Sequence, residues 1–328
     1  MRTSISLSGN GILAEVDPKF HFLRRYGWSI EDLKISSNFN DQFAALLWES
    51  IQEQVSRIKV LSVNPRSLTT SGLNILDQII RILPRSTSVQ LHFHNLEEEH
   101  QLENTLHLLR LCKERVNHLD LFGDSIDIWL PRLAQEFPNR ISFPVLRSFG
   151  VGRYDDESEV PEADVPWIVA MISTLPDQSL PCTRLEIVRL DGPLQPDDWR
   201  TVIEALDLSA LKELFVMFSN FSFVELELLV NRIVDGEVPQ VLLTKLRVSR
   251  ELFHSNDTKT LHARPQEKAP NVNHMDPTSQ WELHPSDLTL LKSYFSRRSI
   301  LAGQCTKRDV KKQTTRLDPD SCRLESSL

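Results

Sequence analysis

Cysteine is scarce in this chain. Its four cysteines, Cys112, Cys182, Cys305 and Cys322, are scattered over 328 residues and none forms a CxxC pair. That excludes a disulfide framework and fits reduced thiols in an intracellular protein. The N-terminus, MRTSISLSGNGILAEV, has one arginine and no apolar run of signal-peptide length. Apolar runs such as FAALLW (43–48) fall far short of a membrane span. The expected setting is therefore cytoplasmic or nuclear, with no membrane partner. In that setting the sequons at Asn220 and Asn256 read as chance matches.

Clustered positive charge is also missing from the body. The chain has 37 Lys+Arg against 45 Asp+Glu, and residues 251–328 hold 12 and 10 of them. Residues 1–250 thus keep 25 against 35, a net of −10. Phosphate binding needs clustered Lys and Arg, so no nucleic-acid partner is expected. Catalytic signatures are absent as well: GxGxxG, GxxxxGK[ST], GxSxG and HExxH do not occur. No catalytic residues, cofactor or bound metal are expected, and the chain reads as a non-enzyme.

What the chain does have is a repeat. The stretch LKELFV (211–216) places apolar residues at positions 1, 4 and 6, and this LxxLxL spacing recurs. IEDLKI, IKVLSV, VNHLDL, LRSFGV, LEIVRL and LTKLRV match at all three places, while RTSISL and STSVQL match at two. The fourth positions are 5, 33, 61, 89, 119, 149, 188, 214 and 246, separated by 28, 28, 28, 30, 30, 39, 26 and 32 residues. A period near 28 is the mark of a repeat architecture. Helical stripes at i, i+3, i+4, i+7 lie between the copies. Examples are Trp199, Val202, Ile203, Leu206; Leu226, Leu229, Val230, Ile233; Leu130, Leu133, Ala134, Phe137; and Ile168, Met171, Ile172, Leu175. Strand, turn, helix, turn predicts an α/β fold with a parallel sheet lined on one side by helices.

These motifs resemble the leucine-rich repeat family, consensus LxxLxLxxNxL, over about residues 1–253. Position 9 is Asn10 and Asn38 in the first two copies and Ser219 in the opening stretch, but varies elsewhere. The loss of most such asparagines implies about nine irregular, degenerate repeats. The resemblance implies a solenoid with a curved parallel sheet on the concave side and helices on the convex side. The nearest flavour is that of fungal F-box-like and ribonuclease-inhibitor-like repeat proteins; HFLRRYGWSIEDLKIS (21–36) looks like the start of such an array. No F-box precedes the first copy, and Ile5, Leu7 and Ile12 read as uncapped. The expectation is that this chain is a truncated copy of a longer protein.

The 39-residue repeat carries YDDESEVPEADVP (154–166), with six acidic residues and two prolines, read as a solvated loop. Residues 254–280 read as a polar linker. Residues 281–298 read as a short C-terminal helix that would cap the array, with Leu288, Leu291, Tyr294 and Phe295 on one face. Residues 299–328 read as a disordered tail, and KRDVKK (307–312) as solvated charge.

The face of the sheet away from the helices is the expected binding surface. Its outward columns include His92, Phe122, Arg189, Phe215, Met217 and Arg247, with Phe93 and Phe218 at the rim. Aromatic, Met and Arg side chains are enriched at interfaces and their hot spots. The expected function is binding a protein partner of unknown identity through His92, Phe122, Arg189, Phe215, Met217, Phe218 and Arg247. The resemblance adds an alternative: the substrate-recognition part of an F-box-type ubiquitin-ligase adaptor that lacks its F-box and works with ligase scaffold subunits. His92 and His94, two apart on one strand face, could in principle hold zinc with His118 from the next copy. Positions 7 and 3 of adjacent repeats are expected to point into different neighbourhoods, which leaves these as surface histidines.

Overall fold

A computed structural model describes residues 4–7, 18–26, 30–36, 40–52, 57–94, 99–123, 126–152, 164–173, 182–192, 194–217, 221–234, 243, 245–249 and 280–283. Every LxxLxL copy becomes a strand. These are β1 (Ser4–Leu7), β2 (Asp32–Ile35), β3 (Val60–Val63), β4 (Ser88–His94), β5 (Val116–Phe122), β6 (Ser148–Gly152), β7 (Ile187–Asp191), β8 (Glu213–Met217) and β9 (Lys245–Ser249). Strands β1 to β9 pair in chain order and all in parallel. One helix crosses between each consecutive pair: α1 (Pro18–Tyr26), α2 (Asp41–Ile51), α3 (Thr70–Ile82), α4 (Glu99–Cys112), α5 (Ile126–Glu136), α6 (Val165–Ile172), α7 (Pro196–Ala205) and α8 (Phe223–Val234).

The LxxLxL code works because side chains alternate across a strand. Positions 4 and 6, such as Leu33 and Ile35, Leu61 and Val63, or Leu119 and Leu121, are buried on one face. There they join the helix stripes in a single core, including Leu47, Leu76, Leu109, Leu130, Met171, Trp199, Val202 and Leu229. Where position 1 is apolar it closes the copy from the preceding turn: Ile30, Ile58, Leu185 and Leu211 are buried too.

Local chemistry sets the helix starts. The Asn40 side chain accepts from Phe43 N at 3.1 Å, and Thr69 Oγ1 accepts from Ser71 N at 3.2 Å. At α8, Ser222 Oγ accepts from Val224 N (3.1 Å) while Glu225 Oε2 accepts from Ser222 N (2.8 Å), a reciprocal capping box. Neighbouring repeats are tied by buried polar contacts. Trp167 Nε1 donates to Phe137 O (2.7 Å), and Thr87 Oγ1 donates to Ile58 O (2.6 Å).

Two expectations change here. The sequence pattern places residues 281–283 in a helix and residue 280 in the linker. Gln280–Leu283 instead form β10, antiparallel to β9, with Trp281 opposite Val248. A terminal parallel strand presents unpaired N–H and C=O groups along its edge, and a returning segment satisfies them. The ladder outweighs the helical spacing in this short stretch. Phe93 is not at the rim; it is fully buried in the core. The reason is a change of register between β4 and β5, described below. Residues 284–298, the tail, the linker to 279, Asn10, Ile12, Asn38, Phe218 and loop residues 154–163 lie outside the described residues.

Candidate functional site

The motif numbering aligns like with like in most of the sheet. Leu33 pairs with Leu61 and Leu61 with Val89, all fourth positions. Leu119 pairs with Phe149, and Val188 with Leu214, again fourth with fourth. Between β4 and β5 the rule fails. Leu91, a sixth position, pairs with Leu119, and the ladder is irregular at Val89/Gln90. The fourth positions 89 and 119 are 30 apart, yet paired residues such as His92 and Asp120 stay 28 apart. An odd slip would turn the core side chains of β5 to the wrong face; a slip of two keeps every face. It makes Phe93 the partner of Leu121, hence its burial. It also brings position 7 of β4 close to positions 3 and 5 of β5.

The result is a polar cluster on the face away from the helices. His118 Nε2 lies 2.7 Å from Asp120 Oδ2, and His92 Nδ1 lies 3.1 Å from the same oxygen. The two imidazoles are tilted against each other with centroids 4.6 Å apart. Arg189 Nη1 approaches Asp120 Oδ2 at 3.4 Å from two strands away. His92 and His118 therefore share one neighbourhood, contrary to the expectation from their motif positions, and a carboxylate joins them.

Asp120 is only 1% exposed. Gly150 on β6 makes room for it: a Cβ there would lie 2.4 Å from Asp120 Oδ1 and 2.9 Å from the Phe122 ring. Burial by itself would push the Asp120 carboxyl up. Hydrogen bonds from His118 and His92, with the charges of His118 and Arg189, outweigh it and hold the group well below the usual carboxylate range. His94 is shifted down, chiefly by burial.

Of the aromatic residues expected at the surface, Phe122 and Phe215 lie on this same face. Phe122 is 5% and Phe215 9% exposed, yet neither belongs to the core cluster beneath the sheet. Phe122 stacks on His94 with centroids 5.6 Å apart. The Phe215 ring lies 5.1 Å from the Arg189 guanidinium and 5.7 Å from Lys245 Nζ. Both distances are within cation–π range. Phe215 thus faces away from the core, as its column requires, but its cationic neighbours shield it. Met217 stands opposite Asp191, and Arg247 stands between Phe215 and Glu282 in register.

His118, Asp120 and Lys245 are the residues missing from the expected binding set. His118 and Asp120 stand on outward positions that the repeat identifies, but their meeting with His92 follows only from the pairing offset and not from motif positions. Lys245 could be found from its third-position place on β9, opposite Glu213.

No protein-family model matches this chain, and no curated protein matches it either. Among the described residues no helix is long and apolar enough to cross a membrane. The site's own chemistry must carry any reading. It offers two imidazole nitrogens and a carboxylate oxygen at one point, and an aromatic ring flanked by cations at another.

Proposed function

We propose that the chain is a protein-interaction module whose partner docks on the sheet face away from the helices, across strands β4 to β9. The observation that supports this is the group formed by Arg189, Phe215 and Lys245, an aromatic ring outside the core with two cations against it. An aromatic and an arginine together are what hot spots use most. On docking, the side chains over Phe215 can swing to meet partner carboxylates while the ring supplies apolar contact. The first three strands present only polar groups there by comparison, Ser6, Lys34 and Ser62 standing side by side in register.

Affinity capture with the untagged-end full chain, comparing the parent with a Phe215→Glu, Arg247→Glu double variant, tests the reading. The expected result is one or more partners lost from a variant that keeps the parent's circular dichroism. Ubiquitin-ligase scaffold subunits among the lost or retained proteins would favour the adaptor form of this reading. An unchanged partner set with a folded variant would overturn the assignment to this face.

A further inference from the structure

We propose that His92, His118 and Asp120 form a binding site for a divalent transition metal, with Zn(II) the ion the donor set fits best. The site does not rest on the protein-binding reading. The three side chains each offer one ligand atom, and these atoms all lie within 4.8 Å of one another. Imidazole nitrogens with a carboxylate oxygen suit zinc, which binds them at about 2.0–2.2 Å. Donors on a tetrahedral ion at that radius stand roughly 3.3 Å apart. His118 Nε2 and His92 Nδ1 are 2.7 and 3.1 Å from Asp120 Oδ2. Those two separations need to open by roughly 0.6 and 0.2 Å to reach it.

The rest of the cluster is built for a ligand rather than for stability. Asp120 is buried, and its Oδ1 has no hydrogen-bond partner. The other oxygen, Oδ2, is the one on which both imidazoles converge, and it is the oxygen that would ligate the ion. Gly150 clears the position that the carboxylate needs, and the register slip that gathers the ligands is an irregularity in an otherwise regular sheet. The ligands come from two strands, not from a loop, so their spacing is fixed by the ladder. His92 and His118 keep side-chain exposures of 26% and 13%, which gives the ion a path from solvent.

Binding requires each imidazole to present a lone pair, so His92 must carry its proton on Nε2 and His118 on Nδ1. Among the described residues, Arg189 is the cation in contact with the cluster, and it opposes a dication. Its 3.4 Å contact is the longest of the three to Asp120 Oδ2, and it has the Phe215 ring as an alternative seat. Three protein ligands leave at least one coordination position open, as in zinc sites that exchange water or an external ligand.

The test uses the full chain without a histidine tag, stripped with chelator. Zn(II) is titrated by calorimetry, and Co(II) by its visible d–d absorption. One ion per chain is expected, with a rise in Tm on adding Zn(II). His92→Ala and His118→Ala should each weaken Zn(II) by about 100-fold or more, at or beyond the upper end of the roughly 10–100-fold lost with an outer-shell partner. His107→Ala should change nothing; it sits on α4, 3.8 Å from Asp77. Asp120→Asn is the third ligand variant, and circular dichroism without metal checks that it folds. If it does not, the two histidine variants decide. Absence of stoichiometric Zn(II) binding would overturn the site. So would binding that survives in both histidine variants, or that is lost in His107→Ala.

Discussion

Gly150 and Cys112 show how much single residues are asked to tolerate. At Gly150 the nearest obstacles to a methyl group are a pinned carboxylate and an aromatic ring. Neither is the loose end of an exposed chain, so Gly150→Ala should cost about 1–3 kcal/mol by overpacking. Urea unfolding of parent and variant measures this; equal midpoints would mean that Asp120 moves aside freely. Cys112 ends α4 with its thiol buried and donating to Leu108 O at 2.9 Å. Burial pushes that thiol up to about 12, against a smaller opposing effect from Arg115. Because the folded value lies above the unfolded one, the contribution to stability is complete below about pH 8.5 and is lost as pH climbs toward 12. At pH 8, iodoacetamide should therefore spare Cys112 in the native chain and label it after denaturation, as peptide mapping would show. Labelling of the native protein at Cys112 would mean that the end of α4 opens readily.

At the scale of elements, β10 is the piece that local patterning hides. Four residues carry too little periodicity to distinguish strand from helix, and the partner strand lies 31 residues or more upstream, Ser249 to Gln280. The helices were legible because each carries an apolar stripe that the core demands: Trp199, Val202 and Ile203 on α7, and Leu226, Leu229 and Val230 on α8, are all buried. The strands were legible for the same reason, at positions 4 and 6. The candidate site was not, because motif numbers say which face a side chain takes but not which residue stands beside it. His92 was placed on the correct face, and its neighbour was missed by two residues. If β10 serves to close the sheet, paired substitutions Trp281→Pro and Glu282→Pro should expose the β9 edge. In an antiparallel ladder adjacent residues alternate between bonding the partner and facing away, so one of the two prolines must remove a ladder bond. Light scattering should then report self-association at concentrations where the parent is monodisperse. A monodisperse double variant would mean that β9 is protected by another part of the chain.

The whole molecule is a chain of neighbours. Each strand from β2 to β8 pairs only with the strands before and after it, and helix contacts follow the same order, as in α1 with α2, α2 with α3 and α6 with α7. Such an arrangement transmits position locally, so the slip between β4 and β5 is not averaged away by distant contacts. It divides the sheet into two regular blocks, β1 to β4 and β5 to β9, each with its own count along the strands. β3 ends at Val63, opposite Leu91, whereas β4 runs three residues further to His94 and stays paired with β5 to its last residue, Phe122. In the language of crystal surfaces, these are two terraces meeting at a step. Atoms at a step have fewer neighbours than atoms on a terrace, and adsorption begins there. His92 and His94 stand on that riser, with Asp120 at its foot, so the proposed metal ligands sit where the lattice is out of phase.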